Sequence, residues 1–336
     1  MLNCVLIGAG YIAQNHLAAL QANKEVKLVG VVCREETHAR TITEKADAEC
    51  RYYKTLEEAC AAAKVDFVDI CVPTNLHEEY TIKAAGLGCH VLCEKPVTFT
   101  TESFDRMVEA CDKAGVKFMV AHVVRFMSEP MAVHKLIKEG KLGNVHLFYE
   151  KRLSQHPAWS TWHRDNDVSG GGLYDINIHD IDNLYWNFGM PKTVYAAGWK
   201  SPTGCWNHIA TTLTWESGVR AVCETSLEMT GNFPFSVEIR GTGDKGTLQY
   251  NFTAGANIND SSVQTKLVWY PAGSEACEEV TAAAADGFCG EVDAFVDAVI
   301  NDTEVPVAAS EVRDVLCIVL AIKRSLEENT VVTLQA

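Results

Sequence analysis

Over its first 121 residues the chain alternates short apolar runs rich in β-branched side chains with stretches of helical period, which restricts the fold more than any other feature. The strand-like runs are 4–7, 26–33, 65–72, 90–93 and 117–121, and the helical stretches between them are 11–22, about 36–46, 56–63, 76–85 and 102–114. Strict alternation of this kind predicts a parallel, doubly wound sheet with helices on both faces. Such a sheet binds ligands beyond the carboxyl ends of its strands. The run 65–72 is the least regular of the five, because Asp66 and Asp69 interrupt it.

The passage from the first strand to the first helix reads Gly8-Ala9-Gly10-Tyr11-Ile12-Ala13, the G-x-G-x-x-A form of the dinucleotide fingerprint. Gly8 permits a tight turn, Gly10 lets backbone approach a pyrophosphate, and Ala13 lets helix and strand pack closely, while the helix start offers unpaired N–H groups. Gly8, Gly10, Tyr11 and Ile12 are therefore cofactor-binding candidates. A carboxylate at the end of the second strand normally bonds the adenosine ribose, but here Cys33 is followed by Arg34. A neutral residue followed by a guanidinium favours the 2′-phosphate of NADP over NAD. In the alternative, Glu35 or Glu36 takes the ribose and the cofactor is NAD.

After about residue 122 the pattern changes to mostly β: 145–152, 193–198, 209–215, 220–226, 235–240 and 246–250, with helical patterns at 131–139, 172–188, 290–300 and 310–328. Turn signals at Glu216-Ser217-Gly218 and Gly241-Thr242-Gly243-Asp244 separate neighbouring strands as hairpins do. The expected architecture is α/β: a Rossmann domain over 1–121, then an α/β domain over 122–336 with a large, mostly antiparallel open sheet.

A formal net charge of -15 without a Lys/Arg cluster argues against nucleic acid and anionic membrane surfaces as partners. No apolar run approaches the roughly 18 residues of a membrane-spanning helix, and the amino terminus turns at Gly8 before a signal-peptide core is built. Thirteen scattered cysteines, with no Cys-x-x-Cys pair, read as free thiols of a cytoplasmic protein with no metal site.

Two further places carry chemistry. Lys95, in Glu94-Lys95-Pro96, follows the 90–93 strand at its carboxyl end, and Pro96 biases it to an extended backbone, a fixed point for an ammonium at a substrate oxygen. Taken alone it is equally a surface lysine before a turn. Asp175 and His179, four residues apart after Gly170-Gly171-Gly172, share one helical face. An imidazole suits acceptance of an alcohol proton, and the carboxylate can orient it or hold a second hydroxyl. A glycine-rich loop capping a helix of solvated polar residues is the alternative.

Together these residues resemble the Gfo/Idh/MocA family of glucose-fructose oxidoreductases and inositol 2-dehydrogenases. Four blocks carry the resemblance: Gly8 to Ala13; Val72-Pro73-Thr74-Asn75-Leu76-His77 leading to Glu94-Lys95-Pro96; His122-Val123-Val124-Arg125-Phe126; and Gly170-Gly171-Gly172 with Asp175 and His179. The resemblance implies redox chemistry at a secondary alcohol of a sugar, inositol or related polyol, and a homodimer or homotetramer made through the open sheet. It implies a catalytic trio of Lys95, Asp175 and His179, with Pro73, Asn75, His77 and Glu94 on the nicotinamide side and Arg125 near the domain junction. Arg152, His156, Trp159, Trp162, His163 and Asn177 are pocket candidates, because an aromatic and polar mixture suits a sugar ring. An NAD-dependent glycosidase working through transient oxidation, and a non-catalytic dinucleotide sensor, are the competing functions.

Overall fold

The computed structural model describes residues 1–46, 48–156, 162–255 and 263–334. Its first sheet holds six strands, β1 (Leu2–Ile7), β2 (Val26–Val32), β3 (Arg51–Tyr53), β4 (Phe67–Ile70), β5 (His90–Glu94) and β6 (Phe118–Ala121), in the order β3-β2-β1-β4-β5-β6. All of its pairings are parallel. The helices α1 (Tyr11–Ala22), α2 (Glu36–Thr43), α3 (Leu56–Ala62), α4 (His77–Gly86) and α5 (Thr101–Ala114) connect them. This is the doubly wound arrangement expected from the alternation, with its strand order reversing between β1 and β4. Local chemistry sets the helix ends: Thr55 and Thr100 accept N–H bonds from Glu58 and Ser103 at the starts of α3 and α5, and left-handed Gly115 closes α5.

The second sheet has nine strands: β7 (Val145–Leu153), β8 (Thr193–Lys200), β9 (Trp206–Thr214), β10 (Arg220–Ser226), β11 (Phe235–Gly243), β12 (Gly246–Ala254), β13 (Gln264–Pro271), β14 (Glu278–Glu279) and β15 (Val332–Thr333). Among the described residues, only its β7–β10 pairing is parallel. Burial alternates along β9, so one face is covered and the other open. The helices are α6 (Ser128–Lys138), α7 (Asn166–Ser169), α8 (Ile178–Phe188), α9 (Gly287–Asn301) and α10 (Ala309–Glu328). The aromatic rings of Phe148 and Phe188 meet edge to face at 5.0 Å, seating α8 on the inner side of β7. Among the described residues no helix is long and apolar enough to cross a membrane.

The chain forms two compact units, Met1–Phe126 with Ala285–Arg313, and Met127–Ala284 with Asp314–Ala336. A single cut at 121/122 does not anticipate the return of 285–313. An apolar stripe on a helix says that it is buried, not against what. In the first unit α9 packs beside α1, the Phe295 ring meets Phe67 edge to face at 5.5 Å, and Asn23 donates to Asp293 at 2.6 Å. Burying a ring of this size is worth about 1.5–3 kcal/mol. Differences at the strand level are small. Strand β3 is a three-residue edge too short to show periodicity, and Asp69 lies within β4, fully buried, where a carboxylate needs a partner.

Candidate active site

In the first unit the parallel register sets the ends of four adjacent strands side by side. Ile7 is opposite both Val32 and Ile70, and Ile70 is opposite Cys93. Gly8, Cys33, Pro73 and Lys95 therefore all follow strands that end at one carboxyl edge, at the strand-order reversal where dinucleotides bind. Gly8 has φ +113°, and a Cβ there would sit 2.4 Å from the Cys71 carbonyl oxygen, so only glycine fits. A Cβ on Gly10 would meet nothing within 4 Å: the space above this backbone is open. Gly10 also caps α1 without a side-chain bond, and the first turn carries no acid, so its N–H groups remain for an anion. These features fit a dinucleotide pyrophosphate, with Tyr11 and Ile12 forming the first helical turn beneath it. Gly8→Ala is expected to cost about 1–3 kcal/mol from backbone strain alone and to weaken binding of the reduced nicotinamide dinucleotide at least about tenfold. Thermal unfolding and nicotinamide fluorescence check this; an unchanged melting temperature would mean that the turn is not built this way.

At the end of β2 the half-buried Cys33 thiol donates to the Glu35 carbonyl at 3.0 Å, and Arg34 is exposed. Glu36 is paired with Arg40 at 3.1 Å. Beyond β4, Pro73 is half-buried and Asn75 exposed. His77 is buried, with Nε2 2.8 Å from the Val72 carbonyl and Nδ1 3.0 Å from that of Pro96, so it ties the loop after β4 to the turn after β5. Burial holds its pKa below the ordinary histidine value. Arg125 is buried and ion-paired with Glu311, both within this unit.

Glu94 is buried at the end of β5, where one carboxylate oxygen accepts the Lys95 backbone N–H at 2.8 Å and the other faces His16 Nε2 at 3.0 Å. Lys95 itself is half-buried. His16, Asp69 and Glu291 gave no signal in the sequence beyond polar residues falling in apolar runs, yet all three are fully buried together here. Their ligand-type atoms, with those of Glu94 and Cys71, form two groups whose members lie within 4.8 Å. Both His16 nitrogens already point at carboxylate oxygens, so the ring has no lone pair left for a metal.

In the second unit, Asp175 lies in a π-helical turn, Leu173–Asn177, that runs directly into α8, where His179 is buried. The preceding glycines let the loop press against the strand beside it: a Cβ on Gly171, at φ +70°, would lie 2.4 Å from that of Cys205, and the Gly172 N–H donates to Asn207 Oδ1 at 2.8 Å. His163 Nε2 stands 3.8 Å from Asp175 Oδ2 with the Trp162 ring stacked on it at 3.9 Å. His156 is close enough for Arg164 and Asp175 to act on its charge, and burial is the larger influence, lowering its pKa. Two pocket candidates lie elsewhere. Arg152 is buried on the inner face of β7, donating through Nε to Asp180 at 2.9 Å, and Asn177 is buried against Thr225 at 2.9 Å. Strand alternation aims Arg152, like Glu150, at the underside of α8. Trp159 lies outside the described residues.

A parallel six-stranded sheet with an open glycine turn at its switch point is the arrangement of dinucleotide-binding domains, and here a large mostly antiparallel sheet follows it in the chain. The description "Oxidoreductase family, NAD-binding Rossmann fold" matches residues 2–122, and "GFO/IDH/MocA C-terminal domain" matches 131–249. The chain belongs to the Gfo/Idh/MocA oxidoreductase family. It is 32% identical over 203 residues to 2,7-anhydro-N-acetylneuraminate hydratase of Escherichia coli (strain K12), 59% of this chain and 53% of that one. It is 29% identical over 245 residues to inositol 2-dehydrogenase of Rhizobium meliloti, 70% and 72% respectively. The chain thus spans about half the length of the hydratase and of other relatives like it. Aldose-aldose oxidoreductase from Caulobacter crescentus, solved with glycerol, shares the fold at TM-score 0.86 and 23% identity, over 99% of both chains.

Proposed function

We propose that this protein is a dehydrogenase or reductase that transfers hydride between the nicotinamide of NADP and a secondary alcohol carbon of a sugar, inositol or related polyol. The observation that carries the reading is the carboxyl edge, where Gly8, Cys33, Pro73 and Lys95 follow adjacent parallel strands beside an open glycine turn. Gly8 to Ile12 would hold the pyrophosphate, Cys33 and Arg34 the adenosine ribose, and Pro73, Asn75 and Lys95 the nicotinamide end, with His77, Glu94 and Arg125 bracing the loops that carry them. The bound nicotinamide supplies the hydride acceptor or donor. In the oxidative direction His179 takes the hydroxyl proton as hydride leaves the same carbon, Lys95 donates a hydrogen bond to the oxygen as it becomes a carbonyl, and Asp175 holds a neighbouring hydroxyl. The intact trio speaks against a non-catalytic sensor.

The test is purified protein with NAD and NADP against myo-inositol, scyllo-inositol, D-glucose and D-galactose and their oxidised forms, read at the reduced-nicotinamide absorbance. Turnover with at least one supports the reading, and none with any of them counts against it. For the cofactor, NADP is expected to raise the melting temperature more than NAD, and Arg34→Ser to weaken NADP about tenfold while leaving NAD unchanged. At least tenfold better use of NAD would reverse the preference.

The hydratase relative supports a second reading, in which transient oxidation activates a sugar for elimination or water addition and the hydride is returned. The glycosidase alternative belongs to the same redox-neutral class. Product formation without net cofactor reduction distinguishes it. We further infer a homodimer or homotetramer through the open sheet face, which exposes Leu147, Tyr195 and Trp199, and a reducing cytoplasmic setting, which the thirteen free cysteines support.

A further inference from the structure

The first unit encloses a cluster that the redox chemistry does not directly use. His16 on α1 places Nδ1 2.9 Å from Asp69 Oδ2 and Nε2 3.0 Å from Glu94 Oε1, and Glu291 of α9 stands 3.6 Å from the same Nε2. All are buried, with the Phe288 ring edge-on to the imidazole at 5.5 Å. A carboxylate only accepts hydrogen bonds, so a ring between Asp69 and Glu94 must donate from both nitrogens and is an imidazolium. Burial alone would lower the His16 pKa, but the charge and hydrogen bond of Asp69, together with Cys71, more than offset it and hold it well above the ordinary value. Burial pushes Glu94 up, and the His16 hydrogen bond and charge more than reverse that, keeping it ionised. Burial drives the Glu291 carboxyl well up, toward its neutral form. The other groups facing the ring are thiols, of which Cys71 donates to Asp69 at 3.6 Å.

The cluster has a direction. Glu94 holds His16 with one oxygen and the Lys95 backbone N–H with the other, and α1 is the helix that starts at the glycine turn. One ring thus links the phosphate-facing helix to the strand end that carries Lys95. We propose that His16 is a positioning residue for hydride transfer: clamped by Asp69, it fixes Glu94 and through it the backbone of Lys95. The clamp itself stands on this geometry, and its catalytic consequence rests on the role given to Lys95 above.

Backbone amide exchange at Lys95, measured on the full chain without substrate, reads the clamp directly. His16→Leu is expected to speed exchange in the 92–98 segment at least about tenfold while leaving β2 unchanged, and His16→Gln, which can still donate to Glu94, to recover part of it. If the leucine variant does not fold, Asp69→Asn loosens the same ring and should speed that segment about threefold. Unchanged exchange at Lys95 in the folded variants overturns the proposal. In the polyol assay His16→Leu should lower turnover about tenfold or more with KM and NADPH binding within about threefold. If Lys95→Ala is silent while exchange responds, the role of Lys95 fails and the clamp survives. If Lys95→Ala is damaging while His16→Leu changes neither exchange nor turnover, the clamp alone fails.

Discussion

Lys95→Ala and His179→Ala are each expected to lower turnover by about 10²–10⁴, the range of a positioned acid/base group. A factor of 10² is about 2.7 kcal/mol of barrier. Under the proposed roles each side chain acts on an oxygen whose charge changes only as hydride moves, so the loss should fall on turnover, with KM within about threefold. Lys95 is half-buried and has its backbone N–H held by Glu94, so removing its side chain should leave the strand end in place and NADPH binding nearly intact. His179 is buried on α8, so its alanine variant also needs a melting curve to show that the helix survives. Turnover within twofold of wild type in either folded variant would sink the catalytic assignment.

The largest stability effect is expected at Arg152. Its guanidinium contacts Asp180 Oδ1 at 2.8 and 2.9 Å, and both side chains are buried. Arg152→Met leaves the Asp180 carboxylate in the core without its counter-charge, which typically costs about 3–5 kcal/mol. That corresponds to a melting shift of about 6–20 °C for a body of this size. Replacing the pair with Met and Leu together should recover most of the loss, since an apolar pair avoids desolvating two ions. A single-variant loss below about 1 kcal/mol would contradict the buried pair. Burial and then Asp180 push the carboxyl of Glu150, beside it, well up, and Asn183 donates to it at 2.8 Å. A carboxyl with a raised folded pKa takes up a proton on folding, so its penalty grows as pH rises above the ordinary value near 4.5. Glu150→Gln should flatten the stability profile on that side.

Much of the first unit was legible because strand and helix periods differ and the glycine turn sits where one gives way to the other. The strands of the second sheet from 145 to 254 were visible by alternation, while β13, β14 and β15 were missed, the last two being only two residues long. The π-turn at Leu173–Asn177 was invisible, since five residues of slightly wider winding leave the same polar pattern as an α-helix. Buried polar groups were the harder loss. His16 reads as one polar residue in an Ala- and Leu-rich helix, and Asp69 as a flaw in a strand. Each makes sense only once three-dimensional packing supplies the other. Arg152 and Asn177 resembled sugar contacts for the same reason: sequence gives the chemistry of a side chain before it gives its neighbours.

The return of α9 to the first unit has a consequence for how the chain is made. Strands β1 to β6 of the nucleotide-binding half are translated well before the helix bearing Glu291 and Phe295, whose Asp293 lies 270 positions beyond the Asn23 that it meets. Until then the surface over His16 lacks its cover, and a fragment ending at 126 would expose the apolar side of α1 and the ring of Phe67. The body begun before the second sheet is thus completed only after strands β7 to β14 have been translated, and its closure reports that they have emerged.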